Sequence, residues 1–125
     1  MNPLKMMKAL FTSAPRLIPS ECAARVHSGE AFLVDVREPG EWAAGVAHSA
    51  RCIPLSDLTG SRTQWKKFLQ EAAGREVLLY CASGGRSGMA TRILTAEGVR
   101  AANTGGLSDW IDAGWPLAKQ ARSRP

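Results

Sequence analysis

Apolar residues along the chain switch between two periods, and each switch marks an element. In "SECAARVHSG", Cys22, Ala23 and Val26 share one helical face and Gly29 supplies a stop. "AFLVDV" (31–36) is a short, apolar, β-branched run, as a strand buried on both faces requires. "EWAAG" predicts one helical turn ending at Gly45, and "RCIPL" a brief strand. Trp65, Phe68, Leu69 and Ala72 then recur at i, i+3, i+4 and i+7, the clearest amphipathic helix in the chain. "VLLY" (77–80) reads as a second buried strand, and Ser87 to Glu97 as a helix with Met89, Ala90, Ile93 and Leu94 inward. "VRAANT" is a weaker strand, and "GLSDWIDAGWP" a short helix stopped by Gly114 and Pro116. Strands alternating with helices predict an α/β domain with a mainly parallel sheet and helices on both faces.

Charge alters this picture at the ends. The 125 residues carry a net charge of +5, which invites a nucleic-acid reading until the charges are located. Lys5, Lys8 and Arg16 lie in the first sixteen residues, and Lys119, Arg122 and Arg124 in the last seven, with no acid in either segment. Setting those six aside from the 16 basic residues leaves ten against 11 acids, so the body is close to neutral. Residues 1–16 and 119–125 are therefore expected to be flexible basic tails, dispensable for folding, around a domain spanning 17–118. Neither nucleic acid nor a membrane is an expected partner. The N-terminal apolar run Ala9-Leu10-Phe11 is too short for a secretion signal, and no stretch approaches a membrane span. A cytoplasmic location is expected.

Three cysteines, Cys22, Cys52 and Cys81, are odd in number and widely spaced, so neither a disulfide framework nor a zinc knuckle is indicated. With only His27 and His48 and no CxxC pair, no metal site and no cofactor are expected. Cys22 and Cys52 read as core-packing residues and His48 as a surface residue.

Ligands of such sheets bind beyond the carboxyl ends of the strands. Two segments qualify: Asp35-Val36-Arg37-Glu38, and the stretch that begins at Cys81. Cys81 is followed by Ala82, Ser83, Gly84 and Gly85, then by Arg86 and Ser87 at a helix start. Small residues let the backbone curl so that successive N–H groups point inward and form a cradle for an anion. A thiol at its centre should ionise readily and act as a nucleophile. Arg86, a cation at a helix start, opposes the helix dipole and so implies a partner or ligand. Asp35, among apolar residues, must be paired, since an unpaired buried carboxylate is costly.

Three segments in this order, "LVDVREPGEW", "YCASGGRSGMA" and "TGGLSDWIDAGWPL", resemble the rhodanese-like domains, the single-domain sulfurtransferase family. The resemblance runs from about Ile18 to Leu117. It implies about five mainly parallel strands and a cysteine that accepts a sulfane sulfur. Cys81 matches that cysteine, Ala82 to Ser87 its cradling loop, Arg86 the arginine that closes the loop, and Asp35 a supporting aspartate. By the resemblance Asp35 pairs with Arg86; Arg37 is the alternative. The segment "GVAHSARCIP" departs from the family's usual Gly-His-Ile-Pro-Gly-Ala-x-Asn-Ile-Pro, so the wall it builds is expected to differ. The implied activity moves sulfur from thiosulfate or a persulfide donor to a thiol acceptor, small molecule or protein. The rivals are a cysteine-based phosphatase or arsenate reductase, whose loops resemble Cys-x5-Arg, and a non-catalytic binding module.

Overall fold

The computed structural model describes residues 1–120 of the chain. Its elements in chain order are α1 (Pro3–Leu10), α2 (Pro19–Ser28), β1 (Ala31–Asp35), α3 (Pro39–Trp42), β2 (Val46–Ala47), β3 (Arg51–Cys52), α4 (Leu55–Thr59), α5 (Thr63–Ala72), β4 (Glu76–Cys81), α6 (Gly85–Ala96), β5 (Ala101–Gly106), α7 (Leu107–Asp112) and β6 (Leu117–Ala118). The main sheet runs β3-β1-β4-β5, and every pairing in it is parallel. A fifth line of chain joins its edge through one bridge between Arg16 and Asn103. The Leu17 N–H donates to the Asn103 carbonyl at 3.0 Å, and the Asn103 N–H to the Pro15 carbonyl at 2.8 Å.

The continuous apolar runs follow from burial on both sides of the sheet. Leu33, Leu78, Tyr80 and Ala102 face Cys22 and Val26 of α2 and Trp110 of α7. Val34, Val77, Leu79 and Cys81 face the other way, against Trp65 and Phe68 of α5 and Ala90, Ile93 and Leu94 of α6. Alternate residues thus feed two apolar layers. Cys22 is fully buried as expected, whereas Cys52 is only half-buried on the edge strand β3.

The reading of residues 1–16 as a flexible tail needs correction. Asn2 caps α1, its Oδ1 accepting the Lys5 N–H at 2.8 Å, and Pro3 occupies the first turn, where its missing N–H costs nothing. The helix docks on α6, fully burying Ala9, and the Met1 ammonium donates to the Thr59 carbonyl at 3.0 Å. Arg122 and Arg124 lie outside the described residues.

The departing segment forms its own feature. β2 pairs antiparallel with β6, and the Trp115 indole N–H donates to the His48 carbonyl at 2.8 Å. His48 itself is exposed, against Ser49.

Candidate functional site

Cys81 is the last residue of β4, 1% exposed, on the sheet face covered by α6. The β4–β5 register shifts between Leu79 and Cys81, which sets Cys81 opposite Gly106. A β-carbon on Gly106 would collide with the Ala82 carbonyl, so only glycine lets β5 approach the loop this closely. Gly84 turns the chain with φ 105°, a left-handed conformation that favours glycine, and α6 begins at the next residue. The helix therefore starts two residues before Ser87, and Gly85 and Arg86 belong to its first turn.

The resulting cradle converges on the sulfur. The Gly84 N–H donates to Cys81 Sγ at 3.0 Å, and the Ser87 hydroxyl lies 3.4 Å from it. Burial pushes the Cys81 thiol up, but the Ser87 hydroxyl and the N–H groups of Ser87, Ser83 and Gly84 outweigh it, and its pKa falls below the ordinary value. The other two cysteines move the opposite way. Burial pushes Cys22 up to about 11, and burial with the nearby Asp35 carboxylate pushes Cys52 up to about 11. Of the three thiols, only Cys81 is placed to ionise more readily than a free cysteine. Gly84 and Ser87 are buried, while Ala82, Ser83 and Gly85 are exposed around them.

Asp35 does not pair with Arg86. It is fully buried against Arg37, whose Nε and Nη2 reach its carboxylate at 3.0 and 2.8 Å, and it accepts the Trp42 indole N–H at 3.1 Å. The two residues lie two apart at the end of β1, so one tight turn completes the pair and no distant cation is needed. Arg37 also donates to the carbonyls of Gly45 at 2.8 Å and Glu41 at 3.3 Å, which ties α3 to the sheet edge. Asp35 and Arg37 thus brace α3, and none of these bonds reaches the sulfur.

Arg86 is held instead by Glu41, a residue that sequence reasoning missed. The pair is bidentate, with Nη2 to Oε2 at 2.8 Å. Hydrogen bonds from Arg86 and from the Glu38 N–H hold the Glu41 carboxyl at about 2. Asn103 was missed as well. Its Oδ1 accepts from the Ser87 hydroxyl at 2.8 Å and the Gly105 N–H at 3.0 Å, and its Nδ2 donates to the Gly84 carbonyl at 3.0 Å. One carboxamide on β5 thereby ties both halves of the cradle together. A polar amide in a short strand of small residues was the available signal. Among the described residues no group of three or more His, Cys, Asp or Glu side chains could hold a metal ion, and no helix is long and apolar enough to cross a membrane.

A family model described as the rhodanese-like domain matches residues 18–113. The chain belongs to that family. This rhodanese-like chain is 32% identical over 90 residues to a sulfurtransferase of Allochromatium vinosum, covering 70% of its own length and 78% of that protein's. It is 40% identical over 90 residues to an uncharacterized protein of Synechocystis sp., covering 70% of this chain but only 47% of the relative. With 50% covered in an uncharacterized Bacillus subtilis protein as well, the chain spans about half the length of those two curated relatives. Among solved structures, the human single-domain sulfurtransferase superposes with a TM-score of 0.64 at 28% identity, over 79% of this chain and 96% of that one. A Rhodopseudomonas palustris protein of unknown function, described as a possible tyrosine phosphatase, gives 0.70 at 26% identity, over 91% of each chain.

Proposed function

We propose that this rhodanese-like protein is a sulfurtransferase working through a Cys81 persulfide. The Cys81 thiolate attacks the outer sulfur of thiosulfate or of another persulfide. A new S–S bond forms on Cys81, the donor's S–S bond breaks, and its electron pair leaves with sulfite or the donor thiolate. A thiophile, cyanide in an assay or a thiolate in the cell, then takes the outer sulfur and returns Cys81 to the thiolate. The carrying observation is the Cys81 cradle: the sulfur accepts the Gly84 N–H at 3.0 Å in a Cys-x4-Arg loop. The same donors suit the terminal sulfur of a persulfide anion. No cofactor enters this cycle. It begins and ends on a free thiolate, which suits a reducing compartment, and we read the protein as cytoplasmic.

The phosphatase reading has one point in its favour, the similarity to a protein described as a possible tyrosine phosphatase. Against it stand the loop, one residue shorter than Cys-x5-Arg, and the engagement of Arg86 by Glu41. The test is intact mass after thiosulfate treatment. A gain of one sulfur atom, lost in Cys81→Ser and kept in Cys22→Ser and Cys52→Ser, is expected. Hydrolysis of aryl phosphates with no mass gain would overturn the assignment.

A further inference from the structure

With Arg86 occupied by Glu41, the cradle has no spare cation for a charged co-substrate. Two other arginines supply one. A cleft of about 430 Å³ borders the loop, lined by Arg16, Gly84, Gly85, Gly88, Met89 and Arg92 among others, and no acidic residue lines it. Arg16 and Arg92 form no ion pair among the described residues. Two cations with no ion pair among the described residues, in one cleft that no acidic residue lines, are a local concentration of positive potential.

The cleft is built into the fold. Gly85, Gly88, Met89 and Arg92 fall at i, i+3, i+4 and i+7 of α6, one face of the helix, and its two glycines leave that face hollow near the loop. A β-carbon at Gly88 would crowd the Asn103 carboxamide at 3.3 Å, and Gly85 faces open space. The Arg16 backbone is held by its bridge to Asn103 on β5, and its side chain is exposed. The segment that charge alone suggested was a loose tail is one wall. Gly84 joins this cleft to the chemistry: it lines the cleft while its N–H donates to Cys81 Sγ at 3.0 Å.

We propose that this cleft binds the oxyanion groups of a small dianionic co-substrate, carboxylate or phosphate, through Arg16 and Arg92. On the sulfurtransferase reading, that molecule is an acceptor thiol whose sulfur end reaches Cys81 past Gly84 and Gly85. Its thiolate takes the outer persulfide sulfur, forming the acceptor persulfide and releasing the Cys81 thiolate, so no further reactant is needed. Guanidinium groups suit this task because they meet both carboxylate and phosphate with paired N–H donors.

Two measurements test the cleft. In the first, succinate and inorganic phosphate are titrated separately into the full chain while backbone amide resonances are followed. Saturable shifts at Gly84, Gly85 and Gly88 are expected with one or both ions, and whichever binds more tightly identifies the oxyanion. In Arg16→Ala/Arg92→Ala the affinity should fall about tenfold or more. Absence of saturable shifts with both ions overturns the proposal. In the second, the rate of sulfur transfer from loaded Cys81 to mercaptosuccinate is divided by the rate to 2-mercaptoethanol. That ratio should drop about tenfold in Arg92→Glu and recover in Arg92→Lys. An unchanged ratio overturns the co-substrate role. If Cys81 takes up no sulfur, the sulfurtransferase reading fails instead, and the ion titration alone decides the cleft.

Discussion

Ser87→Ala isolates one donor of the cradle. The Ser87 hydroxyl has a single proton and three close acceptors, Asn103 Oδ1 at 2.8 Å and, each at 3.4 Å, Cys81 Sγ and the Gly105 carbonyl. When Cys81 is a thiol, the shorter contact to Asn103 takes the proton. When Cys81 ionises, the hydroxyl turns to the sulfur, and Asn103 Oδ1 keeps the Gly105 N–H at 3.0 Å. A hydrogen bond to a charged group contributes about 1.5–3 kcal/mol, and this one sits at the lower end because it is long and contested. One pKa unit corresponds to about 1.4 kcal/mol, so losing the hydroxyl should raise the Cys81 pKa by about one unit. The backbone donors to Cys81 remain and Asn103 keeps its bonds to the Gly84 carbonyl and the Gly105 N–H, so the fold should persist. The assay is the rate of iodoacetamide alkylation at Cys81, followed by peptide mass from about pH 5 to about pH 10. Its midpoint should move up by about one unit, and well below both midpoints the rate should fall about tenfold. Cys22 and Cys52, each at about 11, serve as slow internal controls. A midpoint that stays put or moves down would show that the hydroxyl proton never turns to the sulfur.

Two further outcomes are expected. Glu41→Gln should release Arg86 and lower the thiosulfate KM several-fold in initial-rate assays; because the Glu41 carboxyl titrates at about 2, lowering pH to about 5 should not mimic it, and an unchanged KM would show that Arg86 does not meet the donor. Removing residues 1–11 uncovers the buried Ala9 contact on α6 and should lower stability by about 1–2 kcal/mol in urea titrations, whereas an unshifted midpoint would restore the loose-tail picture.

What could be read from the chain divides by how local the cause is. Cys81, Gly84, Gly85 and Ser87 are contiguous, so the cradle was legible from residue types and the strand-to-helix switch. The buried strands were legible because apolar runs have no other use at that length. Glu41 was hidden because its partner lies 45 residues away, and within "EWAAG" a glutamate looks like any solvated helix residue. The Asp35–Arg37 pair was one of two alternatives, and only the turn after β1 decides between them. At the N-terminus the error lay in weighting: the lysines pointed to solvent, yet Asn2-Pro3 is a helix-start signature with its own mechanism. Asn103 needed the sheet order to bring β5 beside β4.

The strand order β3-β1-β4-β5 also isolates the reactive sulfur from the protein's other thiols. Cys52 sits on β3 with β1 interposed, so two inter-strand steps of about 4.8 Å separate it from β4, beyond the roughly 7 Å limit for a disulfide. Cys22 packs in the layer on the opposite side of the sheet. Among the described residues Cys81 therefore has no resolving partner. A sulfur loaded on it, on the sulfurtransferase reading, cannot be discharged by closing a disulfide with Cys22 or Cys52, and a sulfenic acid formed there by peroxide cannot condense with either of them. On the sulfurtransferase reading, the dwell time of the loaded form is therefore set by the concentration of acceptors in the surroundings rather than by a second cysteine of this chain.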